Sequence, residues 1–455
     1  MFNEEKSPAQ GGHGAVGGEE QNQEPKKNFF KKHRPKIIIL LTVIIIGGLV
    51  TLLIGQKLTK QKTETVSDTQ TQTNQKSIID KVTNKFSSNN DPLDLRNAWS
   101  QGKCEGEGTV LFGTLPMKPE DFSVYLPYGM MVDAHVTPID HSYFSPTDFR
   151  SPRDKYEVRA IADGVIVQIG TRDKVIGDNN HNAAKETEYR LDIEHTCTLY
   201  SYFDLITSLA PEIKTELDKA GGKYFSGRIP IKEGQLIGRI GGQTLDFGVY
   251  NNDLRLNFIN PKHYKGEVWK IHTDDPFKYF KEPAKSILVS KNARKAEPIA
   301  GKIDYDIDGK LVGNWFMEGT NGYQGSNQDR YWDGHLAIVY DYLDPTQIRF
   351  SIGNFDGKAA QFGVKENGPD PATIDINSGV IKYELMQYVY YDKSTGADWN
   401  HMSPVNDPRS KNTGGVKGTA LIQLLEDGKL KVEVFPYKNA SQVTGFTQNA
   451  RIYER

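Results

Sequence analysis

The sequence predicts a mainly β protein: a single N-terminal transmembrane helix, an antiparallel β domain, then a small β-barrel or sandwich domain. Three observations predict it. One uncharged apolar run near the N-terminus is long enough to span a bilayer. Beyond residue 93, apolar residues recur in short alternating runs rich in Val, Ile, Tyr and Thr, the period-two pattern of strands. Gly (43), Tyr (22) and Phe (20) are plentiful, which favours pleated sheets joined by tight turns.

Length and charge bound the rest. At ~100–200 residues per domain, 455 residues imply two or three folded units. Lys+Arg (56) nearly balance Asp+Glu (58). That near-neutral balance gives no electrostatic basis for a nucleic-acid partner, and none is expected. The two cysteines, Cys104 and Cys197, form no CxxC pair, which excludes zinc ribbons and thioredoxin-type motifs. They either pair outside the cytoplasm or remain separate thiols.

Taken in order, residues 1–36 are polar and read as a disordered cytoplasmic tail. Ile37–Gly55, IIILLTVIIIGGLVTLLIG, carries no charge and spans the roughly 30 Å hydrocarbon core as a helix. It lies too far from the N-terminus, and is too long, for a cleaved signal peptide. Lys26, Lys27, Lys31, Lys32, Arg34 and Lys36 precede it, a denser basic cluster than Lys57, Lys60 and Lys62 after it. The denser side stays inside. The expected location is therefore the cell membrane, single-pass, with a cytoplasmic N-terminus and extracytoplasmic C-terminal domains. Residues 56–92 are a polar tether.

Residues 93–283 form the first β unit. Strands are expected in TVLFGTL (109–115), YEVRAIADGVIVQIG (156–170) and YRLDIEHTCTLYSYF (189–203). DLITSLAPEIKTELDKA (204–220) is expected to be helical, with Pro211 starting a second short helix. GRIPIKEGQLIGRIGG returns to strand-turn-strand, and DPFKYFKEP (275–283) closes the unit. Residues 284–455 supply at least six further strands with Gly, Asn, Asp and Pro turns. Two apolar runs around Glu426-Asp427-Gly428-Lys429 mark a hairpin. Gly313-Asn314-Trp315 resembles the Gly-x-Trp opening of lipocalin-like barrels, but three residues are a slight signal and a plain core tryptophan is the favoured reading. Gly319–Asp333 fits either a carbohydrate-contacting loop or a solvated hairpin.

Within the first unit, Asp163-Gly164-Val165, then Gly234-Gln235-Leu236-Ile237-Gly238, then Asp275-Pro276-Phe277 occur in a meaningful order, downstream of DAHVTPIDH (133–141). Together they resemble the lysostaphin-type (LytM-like) zinc metallopeptidases, with their duplicated hybrid motif, over roughly residues 120–283. The resemblance implies an antiparallel β domain and a zinc site. The family opens with His-x-x-x-Asp; here His135 and Asp140 stand one residue further apart, with His141 an alternative ligand. The family's His-x-His strand falls on Thr244-Leu245-Asp246, so the implied metal set is His135, Asp140 and Asp246. Its other active-site histidine falls on Tyr202, the candidate catalytic group.

Those departures change the chemistry. Two carboxylates and one imidazole would neutralise zinc more than the family's set, making a bound water a poorer acid. Tyr202, with a phenol value near 10, is a poor base at neutral pH. The expectation is a degenerate peptidase fold, with zinc absent or weakly held, that binds a cell-envelope polymer or peptide or regulates a partner. The alternative is an active zinc metalloendopeptidase cutting cell-wall or surface cross-links. His195 is expected to be a satisfied structural histidine. No GxxxxGK[ST], HExxH or GxSxG motif is present.

Overall fold

The structure, a computed structural model, describes residues 91–176 and 184–455. The N-terminal tail, the apolar run Ile37–Gly55, the tether through residue 90 and His181 lie outside the described residues. Among those described, no helix is long and apolar enough to cross a membrane.

Ten strands build the first part: β1 (Phe122–Leu126), β2 (Ser142–Pro146), β3 (Tyr156–Arg159), β4 (Gly164–Ile176), β5 (Ala184–Glu194), β6 (Leu199–Ile206), β7 (Ser208–Leu209), β8 (Tyr224–Ile231), β9 (Leu236–Ile240) and β10 (Leu245–Asn251). They form a seven-stranded sheet, β1-β2-β10-β6-β5-β4-β8, and a three-stranded sheet, β3-β9-β7. Their pairings are antiparallel, as alternation with short connections requires. Three short helices accompany them: α1 (Leu95–Ala98), α2 (Pro211–Lys219) and α3 (Ala284–Lys291).

The expected helix over 204–220 is only half present. Residues up to Ile206 finish β6, and the helix starts at Pro211, whose fixed φ and missing N–H suit the first helical position. Upstream, Leu205 adopts φ 62, which no right-handed helix accepts. Apolar Ile213 and Leu217, one turn apart, then dock α2 into the core.

Alternation gives the large sheet two different buried faces. Leu191, Ile193, Leu199, Phe203, Leu245, Phe247 and Val249 point into a core shared with β9 and α2. Their neighbours, Tyr200, Tyr202 and Tyr250, point to the opposite face. There they pack with Trp99, Tyr264, Phe316 and Tyr323. The last two belong to the second part of the chain. The polar residues of the candidate site share that second face.

The second part resolves the choice between barrel and sandwich. β11 (Gly313–Met317), β12 (His335–Tyr340), β13 (Ile348–Phe355), β14 (Lys358–Val364), β15 (Ile381–Asp392), β16 (Pro408–Leu424), β17 (Leu430–Pro436) and β18 (Arg451–Glu454) pair in sequence order and close into a barrel. Closure through β11 and β18 removes free edges. The expected hairpin joins β16 to β17, with Leu424 opposite Leu430 and Gly428 at φ 79. Trp315 is fully buried in the barrel, its Nε1 donating to the Leu311 carbonyl at 3.0 Å. The Arg455 guanidinium lies 4.1 Å from its ring. Gly313 is required here: it sits at φ 138, and a Cβ would strike Asp306.

Cys104 and Cys197 are bonded, S–S 2.07 Å, across 93 residues of sequence. The bridge pins the segment after α1 to the turn between β5 and β6.

Candidate functional site

The second face of the large sheet carries an open cleft of about 480 Å³. Register dictates who meets there. Asp246 on β10 lies opposite Tyr143 on β2 and opposite Asp204 on β6. One row further, Gly248 lies opposite Tyr202, and Tyr202 opposite Asp192 on β5. Gly248 matters because a Cβ there would collide with the Tyr250 ring. Without one, Tyr250 lies over the strand, stacks on Tyr202 (5.7 Å, 14°) and donates to Asp140 Oδ2 at 3.1 Å. His135, Asp140 and His141 arrive from the connection leading into β2. Glu267, Trp269 and Lys270 come from the segment after β10, and Tyr323 and Tyr331 from the barrel.

His135, Asp140, Tyr202 and Asp246 all line this one cleft. His141 sits at its centre. Its ring is 5.8 Å from that of His135 and 5.7 Å from that of Tyr202. Nδ1 faces Asp140 Oδ1 at 3.6 Å, while Nε2 faces Asp246 Oδ2 at 3.5 Å and the Tyr143 hydroxyl at 3.1 Å. The buried Nδ1 has no hydrogen-bond partner among the described residues. The two carboxylates therefore flank one imidazole on opposite sides.

The cation of the cleft is a side chain. The buried Lys270 ammonium is bonded to Asp140 Oδ1 and lies 3.3 Å from Glu267 Oε2. Burial alone would raise the Asp140 carboxyl, but Lys270 and His141 outweigh it and hold it well below the carboxylate range. Burial likewise works against the Lys270 charge; Asp140 and Glu267 reverse that and keep it protonated. Asp246 goes the other way. Burial and then the facing Asp204 push it well above the usual value, with Arg172 opposing, which favours the neutral acid. Burial lowers His141, which favours a neutral imidazole between the anionic Asp140 and the neutral acid Asp246. His135 is pushed down to about 3 by burial and then by His141. Burial, then Asp140 and Asp246, hold the Tyr202 phenol well above 10, which removes it as a base.

Two arginines complete the site. Arg172 grips Asp204 with two bonds, 2.9 and 2.6 Å. Arg190 is held between rings, 4.3 Å from the Tyr202 centroid and 4.5 Å from that of Trp269. Its Nε donates to Asp192 at 2.8 Å, and its Nη2 has no partner among the described residues.

The resemblance implies zinc, and the donors do not fit it. A zinc site needs three ligands around one point. Asp140 and Asp246 stand on opposite nitrogens of His141, so a single ion cannot take both carboxylates beside that ring. Asp140 Oδ1 is also engaged by an ammonium, which would repel a divalent cation. Among the described residues, no group of three His, Cys, Asp or Glu has metal-binding geometry.

The sequence reading missed Lys270, Arg190, Arg172, Asp204 and Tyr250. Two of these carried a signal: Asp204 shares the strand parity of Tyr202 and the ladder row of Asp246, and Tyr250 shares the strand parity of Asp246. Arg190 and Arg172 stand on β5 and β4, strands that carry neither Tyr202 nor Asp246. Lys270 carried none, because it lies outside the strands. His195 sits apart from the cleft, with Nδ1 at 2.9 Å from the Asp163 carbonyl and Nε2 at 2.9 Å from Ser201 Oγ.

No known protein-family profile matches the chain, and no curated protein matches it. Among solved structures, the NMR solution structure of lysostaphin aligns with 76% of this chain and 100% of its own, at 10% identity and a TM-score of 0.20. A likeness that slight carries no argument, and the functional reading rests on the cleft.

Proposed function

We propose that this protein is a membrane-anchored, extracytoplasmic binding protein whose cleft grips a cell-envelope polymer or peptide without a catalytic metal. The observation that carries this reading is the Lys270 ammonium on Asp140. The carboxylate expected to hold zinc already has its cation. The cleft keeps what binding needs: ordered aromatic walls, paired charges and volume for a few polymer units. The Cys104–Cys197 bridge supports an oxidising compartment, in line with the orientation expected of the apolar run Ile37–Gly55.

One observation favours a second reading, a zinc endopeptidase: the unpartnered His141 Nδ1, 3.6 Å from Asp140 Oδ1, has spacing that two metal ligands would tolerate. Sedimentation of the full-length chain, in detergent, with insoluble peptidoglycan separates the two. The binding reading expects equal co-sedimentation with EDTA or with added zinc, and no soluble fragments. Zinc-dependent release of fragments, abolished by Asp246→Ala, would establish the peptidase instead.

A further inference from the structure

The cleft does not end at the sheet. A second pocket of about 400 Å³ adjoins it, and Glu267, Tyr323 and Tyr331 line both. Its remaining wall is Gly266 and the barrel segment Asn321–Gln328, rich in amides: Asn321, Gln324 and Gln328. Part of the Gly319–Asp333 stretch thus forms a wall of the groove.

We infer that this groove takes a linear acidic saccharide chain, with a uronate-type carboxylate on Arg190, sugar faces on Trp269 and Tyr331, and hydroxyls on the amides of the second pocket. The inference rests on the metal-free binding reading above and names its ligand class.

Three observations carry it. First, the groove offers side chains rather than backbone. β5, β6 and β10, which supply its floor, are interior strands with neighbours on both sides. A peptide recognised by strand addition needs a free edge, and this floor has none. Second, recognition falls to rings, amides and forked charges. An aromatic face packs against the C–H face of a sugar, while amides and carboxylates bond its hydroxyls. Third, the charges are unequally matched. Arg172 and Lys270 have their acids, Asp204, Asp140 and Glu267, within the lining. The acid of Arg190, Asp192, is buried outside it. Arg190 is thus a cation of the lining whose paired acid lies outside it, and its Nη2 has no hydrogen-bond partner among the described residues. The Tyr202 and Trp269 rings lie 4.3 and 4.5 Å from its guanidinium carbon and hold the group in place, which suits a guanidinium that binds a planar carboxylate.

The test uses the full-length chain in detergent with EDTA and follows tryptophan emission. The probes are hexagalacturonate, digalacturonate, chitohexaose and hexaglutamate. Hexagalacturonate is expected to bind about 10-fold more tightly than chitohexaose, the size of one charge-assisted contact. It should also exceed hexaglutamate and weaken with salt. Arg190→Gln should erase the preference for the acidic sugar, whereas Arg190→Lys should retain part of it. Gln328→Ala, at an exposed position of the second pocket, should weaken the hexamer and leave the dimer unchanged; this contrast carries the test if the Arg190 variants do not fold. Equal or tighter binding of chitohexaose or hexaglutamate overturns the ligand class while leaving the metal-free binding reading in place. So does a preference that survives Arg190→Gln. If no probe binds until zinc replaces EDTA, the binding reading itself is overturned.

Discussion

Lys270 decides how Asp140 is understood. A buried carboxylate needs a partner, and here the partner is an ammonium. Lys270→Met leaves the Asp140 charge buried and unpaired, at a cost of about 3–5 kcal/mol. The sign with pH follows. The native pair holds the Asp140 value below that of the unfolded chain. It therefore contributes stability above about pH 4, lost as pH falls through the folded value. In Lys270→Met that contribution is gone, so the deficit measured by urea melts should be large at pH 7 and shrink toward pH 3. A deficit constant with pH would contradict the pairing. His335 provides a second handle. It is 1% exposed, and burial pushes its imidazole down to about 3. Unfolded histidine titrates near 6.5, so below that pH the unfolded chain binds the extra proton and the native state loses stability. Relative to wild type, His335→Gln should gain up to about 2.7 kcal/mol between pH 6.5 and 4.5. An unchanged difference across that window would show that His335 is not held neutral.

At the scale of elements, much of the fold was legible and the site only in part. Period-two runs located β3 to β6, β8 and β9, and the Glu426–Lys429 turn marked its hairpin, because one face of each strand is buried. The strand expected over TVLFGTL (109–115) does not form: that segment makes only a single bridge, Phe112 with Phe280, because its backbone runs beside the 275–283 segment rather than entering a sheet, and β1 and β2 were not anticipated. The helix over 204–208 failed because tertiary pairing claimed that segment: β6 continues to Ile206, with the irregular register that places Leu205 at φ 62 beside Asp204. The candidate ligands were legible as residue types and converge on one cleft. What the spacing could not show was the order around His141, or that a lysine from beyond the strands would reach Asp140. The disulfide is an element-scale constraint as well. It closes a separation of 93 residues, which the loop-entropy account values at about 4–5 kcal/mol. Cys104→Ser with Cys197→Ser, or mild reduction, should lower the melting temperature markedly. A wild-type melting curve unaffected by reductant would argue that the bridge is not formed.

For the whole molecule, the described residues from 91 onward belong to one compact unit. The seam explains why. Arg294 is buried between the two parts, its guanidinium bonded to the carbonyls of Ala296, Pro298 and Tyr342. Asn314 Nδ2 of the barrel donates to the Tyr264 hydroxyl at 3.0 Å, and Ser123 Oγ donates to the Met402 carbonyl at 2.6 Å. Aromatic clusters draw on both sides. Sheet and barrel should therefore melt in one calorimetric transition; two well-separated transitions would show the seam to be weak. A groove with one wall from each side depends on that seam.

The central claim is that a lysine side chain, and not zinc, supplies the cation at Asp140. Equilibrium dialysis of the full-length protein against micromolar zinc, with metal content read by mass spectrometry, tests it directly. The structure predicts zinc well below one equivalent per chain at neutral pH. One tightly held zinc per chain, lost in Asp140→Asn, would contradict it.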